Sequence, residues 1–373
     1  MRSASAPGRT RTASSTTPTS SACWAAAPDV TRSGDRRVAT ATSTAAPWSG
    51  TGRGCTLARV ATTRAVVAVA YGGPEQLHVV EVDPGEPGPG EVLLDVRAAA
   101  VNPVDWKSYA AGDPARLPLR LGLEVAGTVA ATGPNVRWLS EGDEVIAWRV
   151  DGGYAGALVV PEQSTVRRPP TLPWAEASGL MVTGTTAVHT LTATRTRTGD
   201  VVLVHGGSGG VGRMVTQLAL LRGAHVVATA SPDAHDDLRE LGAVPVAHGE
   251  DLVRRVRAAL RDAGLGPATV AIDTVGTDEA LEASVELVRD RGSVVTVAGF
   301  GRAAELGIRA LGGGPGADPG TQVREQARAQ LVELAGDGSL DVRVARTYPL
   351  EEVALAHTAS RGGHARGKLV LLP

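Results

Sequence analysis

Eight consecutive residues carry the sharpest chemical signal in this chain: His205-Gly206-Gly207-Ser208-Gly209-Gly210-Val211-Gly212. The spacing of Gly207, Gly209 and Gly212 fits G-x-G-x-x-G, a weak pattern by itself in a chain with 46 glycines. Its setting gives it meaning, because the run follows the apolar stretch 201–204 and opens the helical period GVGRMVTQLALLRG. A strand, a glycine turn and a helix in that order let the backbone approach a pyrophosphate, which the helix's unpaired N–H groups and dipole stabilise. Gly207, Ser208, Gly209, Gly210, Val211 and Gly212 are therefore candidate dinucleotide contacts. The competing reading is that the glycines serve only close strand–helix packing. The next apolar run ends Ala228-Thr229-Ala230-Ser231, without the Asp or Glu that usually holds the adenosine ribose of NAD. That favours NADP(H), with NAD(H) left open. Ser231, His235 and His248 are the residues placed to meet a 2′-phosphate, although both histidines could equally be ordinary surface residues.

These residues need a scaffold, and residues 199–298 read as one. VVLVHGG, HVVATA, the stretch 244–247, TVAID and SVVTVAG are apolar strands separated by helical periods, with Gly223 placed to end the first helix and Ser231-Pro232 to begin the next. Strands alternating with helices imply right-handed crossovers and a doubly wound parallel sheet. Residues 64 to about 182 differ. RAVVAVAYGG, LHVVEVD, EVLLDVRAAAV, EVAGTVAATG and GDEVIAWRV are short Val-rich runs punctuated by Gly and Pro, as an antiparallel β-rich domain requires. After the connection GGGPGADPG at 312–320 come one helix, TQVREQARAQLVELAG, and a strand-rich end, LDVRVARTYPL and GKLVLLP, which is expected to return to the first domain. The expected fold class is α/β: a leader over 1–63, a β-rich substrate domain over 64–183, a dinucleotide-binding domain over 184–317, and a segment over 318–373 that completes the substrate domain.

Composition narrows the function. The chain has 373 residues, 43% hydrophobic, and a formal net charge of −2 with no basic stripe, so no nucleic-acid partner is expected. No window approaches the roughly 18 consecutive apolar residues of a membrane span, so none is expected. The 35 arginines against two lysines, Lys107 and Lys368, read as codon bias. Residues 1–63 hold 35 Ala, Ser or Thr and only four Val or Leu, a mix that cannot bury a core and is expected to be disordered. Eight Arg against two Asp make this leader resemble an organellar transit peptide, but Pro7, Pro18, Pro28 and Pro47 would break a helix there, and a translation start placed too far upstream is the preferred reading. Both cysteines, Cys23 and Cys55, lie in it, and a cytoplasmic protein is expected.

Taken in order, AVNPVDWK, PLRLGLEVAGTVAATGPNV, GDEVIAW, GGYAGALVVP, GTTAVHTL, GGSGGVG, TASPDAHDDLRELGA, AIDTVG and GKLVLLP resemble the medium-chain dehydrogenase/reductase superfamily. The likeness is to its zinc-independent branch of NADPH:quinone oxidoreductases and related enoyl or alkenal reductases, over about residues 64–373. It implies a GroES-like substrate domain, a Rossmann domain, a cleft between them, a small-molecule substrate and a homodimer. Zinc-dependent relatives carry a cysteine and a Gly-His-Glu motif where this chain has Asn102 and Gly122-Leu123-Glu124. No cysteine follows residue 55, so thiolate ligation within the folded body is excluded by counting and no metal is expected. The resemblance places Thr186 near the nicotinamide, and His248 near a position where relatives have a tyrosine.

Without a Lewis acid, activated acceptors remain: a quinone or an α,β-unsaturated carbonyl can take hydride while hydrogen-bond donors stabilise the developing oxyanion. Asn102, Trp106, Lys107 and Tyr109 are the candidate donors. Asp105 joins the catalytic candidates, with a helix-capping role as the alternative. Lys107 stands out as a lysine in an arginine-biased chain. Two other readings stay open: a nucleotide-binding sensor or partner-binding protein without efficient turnover, and an alcohol dehydrogenase-like activity.

Overall fold

The computed structural model describes residues 62–363 and 365–373. The leader expected over 1–63 falls outside them except for its last two positions, and Thr63 already begins a strand. In chain order the first part holds β1 (Thr63–Ala68), β2 (Leu77–Val82), β3 (Glu91–Val101), α1 (Pro103–Ser108), β4 (Leu119–Arg120), β5 (Glu124–Thr132), β6 (Glu144–Trp148), β7 (Ala157–Pro161) and β8 (Thr165–Arg167). The helices α2 (Trp174–Ser178) and α3 (Leu180–Ala193) follow. Then come β9 (Val201–His205), α4 (Gly210–Leu221), β10 (His225–Ala230), α5 (His235–Glu240), β11 (Val244–Ala247), α6 (Leu252–Asp262), β12 (Val270–Asp273), α7 (Asp278–Leu287), β13 (Val294–Thr296), α8 (Phe300–Leu306) and β14 (Arg309–Ala310). The chain closes with α9 (Thr321–Gly336), β15 (Val344–Pro349), α10 (Val353–Gly362) and β16 (Lys368–Leu372).

β9 to β14 form one parallel sheet in the order β11-β10-β9-β12-β13-β14. Its central strands are covered on both faces, so β9 and β12 are buried at every position and read as continuous apolar runs. The strand order reverses between β9 and β12, which opens a crevice at their carboxyl ends. α4 lays Met214, Val215, Leu218 and Ala219 on this sheet and ends at Gly223, whose φ of +77° is the left-handed turn that glycine adopts without strain.

The β-rich part builds a sheet in the order β15-β16-β3-β5-β6-β8, with β7 also paired to β3, and a smaller sheet β2-β1-β4. β16 lies antiparallel to β3, with Leu369 opposite Val101, and parallel to β15. α10 intervenes between β15 and β16 and supplies the crossover that this parallel pair needs. One apolar cluster runs from Ile146 and Trp148 of β6 through Leu180 and Met181 of α3 to Val204 of β9 and Met214 of α4. α3 thus shares a core with both the mixed and the parallel sheet.

Candidate active site

The glycine loop joins β9 to α4 at the carboxyl edge of the parallel sheet. Its glycines do different jobs. A Cβ on Gly212 would lie 2.1 Å from the Gly206 carbonyl oxygen and one on Gly207 would lie 2.7 Å from Ala228 Cβ, so these two positions are closed by packing. Gly209 has an ordinary φ of −75°, and its Cβ would meet only the Gly206 oxygen at 3.4 Å. Packing does not require glycine there, whereas a ligand approaching the backbone closely would. Gly210, Val211 and Gly212 form the first turn of α4, where backbone N–H groups have no intrahelical acceptor. Together with Ser208 they make a cradle whose chemistry fits a pyrophosphate.

Beside this loop lies a buried polar cluster. Lys368 of β16 is 4% exposed, and its Nζ donates to Asn102 Oδ1 at 2.6 Å and to Glu124 Oε1 at 3.0 Å. Asn102 Nδ2 donates to the same Glu124 oxygen at 3.1 Å, and Glu124 Oε2 accepts the Val182 N–H of α3 at 2.8 Å. The lysine stem passes the glycine loop: a Cβ on Gly210 would meet Lys368 Cδ at 3.3 Å and Thr183 Cγ2 at 3.1 Å. A buried ammonium is tolerable only because two acceptors face it. Two of its three N–H groups are used, which leaves one without an acceptor among the described residues.

α1 carries the other early candidates. Asp105 is buried and accepts the Asn102 N–H at 2.7 Å and the Tyr154 hydroxyl at 2.7 Å; burial pushes its carboxyl up to about 6. It therefore positions Asn102 and closes the first turn of α1. Tyr109 is fully buried and hydrogen-bonded at 2.9 Å to His357 Nδ1, whose Nε2 lies 3.4 Å from the Tyr154 hydroxyl. Its hydroxyl belongs to the core behind α1 and not to the crevice. Burial lowers His357 to about 4, so this histidine is neutral. Trp106 is half-buried with its Nε1 unpartnered, and Lys107 is exposed with its Nζ 5.5 Å from the Trp106 ring. The lysine within the cluster is Lys368; the only signal for it in the sequence was its rarity, which Lys107 shares.

Thr186 lies on α3 one turn after Val182 and accepts a hydrogen bond from Arg324 of α9 at 3.0 Å. At the end of β10, Ser231 caps a short turn through Ala234, and His235 begins α5 with its Nε2 buried and unpartnered. His248 is exposed after β11. Sequence reasoning missed Arg366, which donates to the Asp233 carbonyl at 2.6 Å and lies 3.3 Å from its carboxylate. The Ser231 side chain and, after it, the Arg366 charge hold Asp233 below its usual carboxylate range.

The description "Alcohol dehydrogenase GroES-like domain" matches residues 88–171, and "Zinc-binding dehydrogenase" matches residues 241–371. A quinone oxidoreductase of Pseudomonas aeruginosa is 33% identical over 325 residues, covering 82% of this chain and 98% of the relative. The chain belongs to the medium-chain dehydrogenase/reductase superfamily, in its quinone oxidoreductase-like branch. A 2-haloacrylate reductase of a Burkholderia species is 29% identical, covering 83% of this chain and 98% of that one. The solved structure of a mycobacterial protein complexed with NADPH superposes with a TM-score of 0.73 at 27% identity, covering 83% of this chain and 100% of that one.

Membership of this branch makes the protein a nicotinamide-dependent oxidoreductase that transfers hydride to a small molecule. It has the branch's GroES-like part and Rossmann-like parallel sheet. Despite the zinc in one family description, the residues here do not fit that metal. Among the described residues no three His, Cys, Asp or Glu side chains come together as a ligand set. Asn102 and Glu124 are instead engaged by the Lys368 ammonium, whose charge repels a cation. Among the described residues no helix is long and apolar enough to cross a membrane.

Proposed function

We propose that the protein is a zinc-independent, NADPH-preferring reductase of quinones or α,β-unsaturated carbonyl compounds. One observation carries the reading: Lys368 ties Asn102 of the substrate domain to the edge of the glycine loop, so the pyrophosphate cradle and the early-loop candidate share one buried cation. A bound NAD(P)H supplies hydride. The chain's own residues do the rest: Glu124 and Asn102 orient the ammonium, Asp105 fixes Asn102, and the spare Lys368 N–H meets the anion that arrives beside the loop. Thr186 lines the α3 wall of the crevice, and Trp106 and Lys107 flank its α1 side.

Preference for NADPH is supported by the end of β10. Ser231 stands where an acid would select the free ribose, and Arg366 pairs with Asp233, a carboxylate that would repel a 2′-phosphate there. His235 and His248 border the same loop. A cytoplasmic homodimer goes with this reading. The test is to strip metal with a chelator, supply NADPH or NADH with a panel of quinones and enones, and follow loss of the nicotinamide absorbance. Chelator-insensitive turnover, faster with NADPH, is expected. Tight NADPH binding without turnover across the panel, or activity that returns only with zinc, would overturn the proposal.

A further inference from the structure

Arg324 is a half-buried cation with no carboxylate of its own. Its Nη1 donates to Thr186 Oγ1 at 3.0 Å, its Nε is buried without a partner, and among the described residues no acidic group lies within ion-pair distance. The carboxylates around it are already used. Asp318 is held by His189 at 3.4 Å and by the Gly320 N–H at 2.9 Å, and Glu325 is held by Arg328 at 2.8 Å with Arg149 3.9 Å away. Burial, with the like charge of Arg149, outweighs the opposing pull of the Asp318 carboxylate and lowers the Arg324 guanidinium to about 10. A desolvated, like-charged arginine is costly unless an anion meets it.

Its place in the fold says which anion. A dinucleotide strung across the switch point puts its adenosine half over β10 and its nicotinamide half over β12 and β13. Arg324 is on the second side: its Nη2 reaches the segment after β14, where a Cβ on Gly312 would lie 3.9 Å away and one on Gly313 would meet nothing. Thr186, its partner, is one helical turn from Val182, whose N–H is bound by Glu124 of the polar cluster. The guanidinium therefore sits between α3 and the segment after β14, the strand beside β13.

Building on the function proposed above, we propose that Arg324 binds a carboxylate carried by the acceptor, so that the preferred substrate is an activated alkene or quinone bearing an anionic group. Thr186 orients the guanidinium, and the open glycine segment leaves room for the acid. The test uses 3-benzoylacrylate and its methyl ester, an enone pair that differs in that charge, with wild type, Arg324→Gln and Arg324→Lys at saturating NADPH. Wild type should show a KM for the acid about tenfold or more below that for the ester. Arg324→Gln should raise the acid's KM by about 10- to 100-fold and leave kcat for the ester within about twofold, with Arg324→Lys recovering part of the loss. Equal KM values for acid and ester in wild type would overturn the proposal. So would equal losses for both in Arg324→Gln, or an increase in the Kd for NADPH that accounts for the change. If neither compound is turned over, the reductase reading fails separately. Calorimetric titration of acid and ester into the NADP complex then still decides the role of Arg324, and binding without preference for the acid refutes it.

Discussion

At the scale of single residues, the three motif glycines and the two lysines separate structural from functional roles. Gly212 and Gly207 are required by contacts that exist without any ligand, whereas Gly209 has the space and the backbone angles for a side chain. Gly209→Val should therefore keep the stability of the wild type, within about 1 kcal/mol by chemical denaturation, yet lose NADPH binding measured by fluorescence titration. Gly212→Ala should lose both. Lys368→Met removes the cation that compensates Glu124 and leaves a carboxylate buried; a loss of about 3–5 kcal/mol in unfolding free energy is expected. Arg366→Ala should raise the Kd for NADPH by about tenfold and leave that for NADH unchanged, read by the same titration. Unequal effects on the two cofactors distinguish phosphate recognition from general damage to the loop.

At the scale of elements, α9 shows how a helix with little amphipathic contrast finds its place. Only Ala327, Leu331 and Ala335 are buried along its 16 residues, and Leu331 fills the space left by Gly184 on α3, where a Cβ would come within 2.9 Å of Leu331 Cδ2. That interlock, with the Arg328 hydrogen bonds to the Gln163 and Thr165 carbonyls, helps hold Arg324 opposite Thr186. Leu331→Ala should cost about 2–5 kcal/mol of stability in urea unfolding, and it should weaken binding of an anionic acceptor more than binding of NADPH. Most elements were legible. The alternation of apolar runs and helical periods marked β9 through β13, and the helical period TQVREQARAQLVELAG coincides with α9. Strand partners were less so. Which strand β16 joins depends on free edges created by β3 and β15, and nothing local to GKLVLLP encodes either one.

At the scale of the whole molecule, buried neutral histidines set the response to acid. His205 and His357 are both lowered by burial to about 4 from the 6.5 of an unfolded chain. The unfolded state binds protons that the folded state refuses, so their contribution is complete above about pH 6.5 and is lost as pH falls toward 4. Asp105, raised from 3.8 to about 6, acts in the opposite sense: its contribution is present below about pH 3.8 and is lost as pH rises through 6. Each is worth on the order of 3 kcal/mol, so two histidines outweigh one aspartate and stability should rise from pH 4 to 6.5. Urea midpoints measured across that range test the slope. His357→Gln should flatten it, and a slope unchanged by that substitution would contradict the assignment of a neutral buried imidazole.

The sequence by itself determined the α/β class, the glycine loop with its candidate dinucleotide contacts, and the lack of any cysteine after residue 55. The first two depend on local order: periodicity fixes a strand or a helix, and a turn motif keeps its meaning wherever it follows a strand and opens a helix. Only the tertiary structure decided which charges share a site. Lys368 meets Asn102 across 266 positions, Arg366 meets Asp233 across 133, and Arg324 meets Thr186 across 138. Long-range pairs of this kind leave no local trace, and in a chain with 35 arginines one more cation is no signal until burial makes it costly.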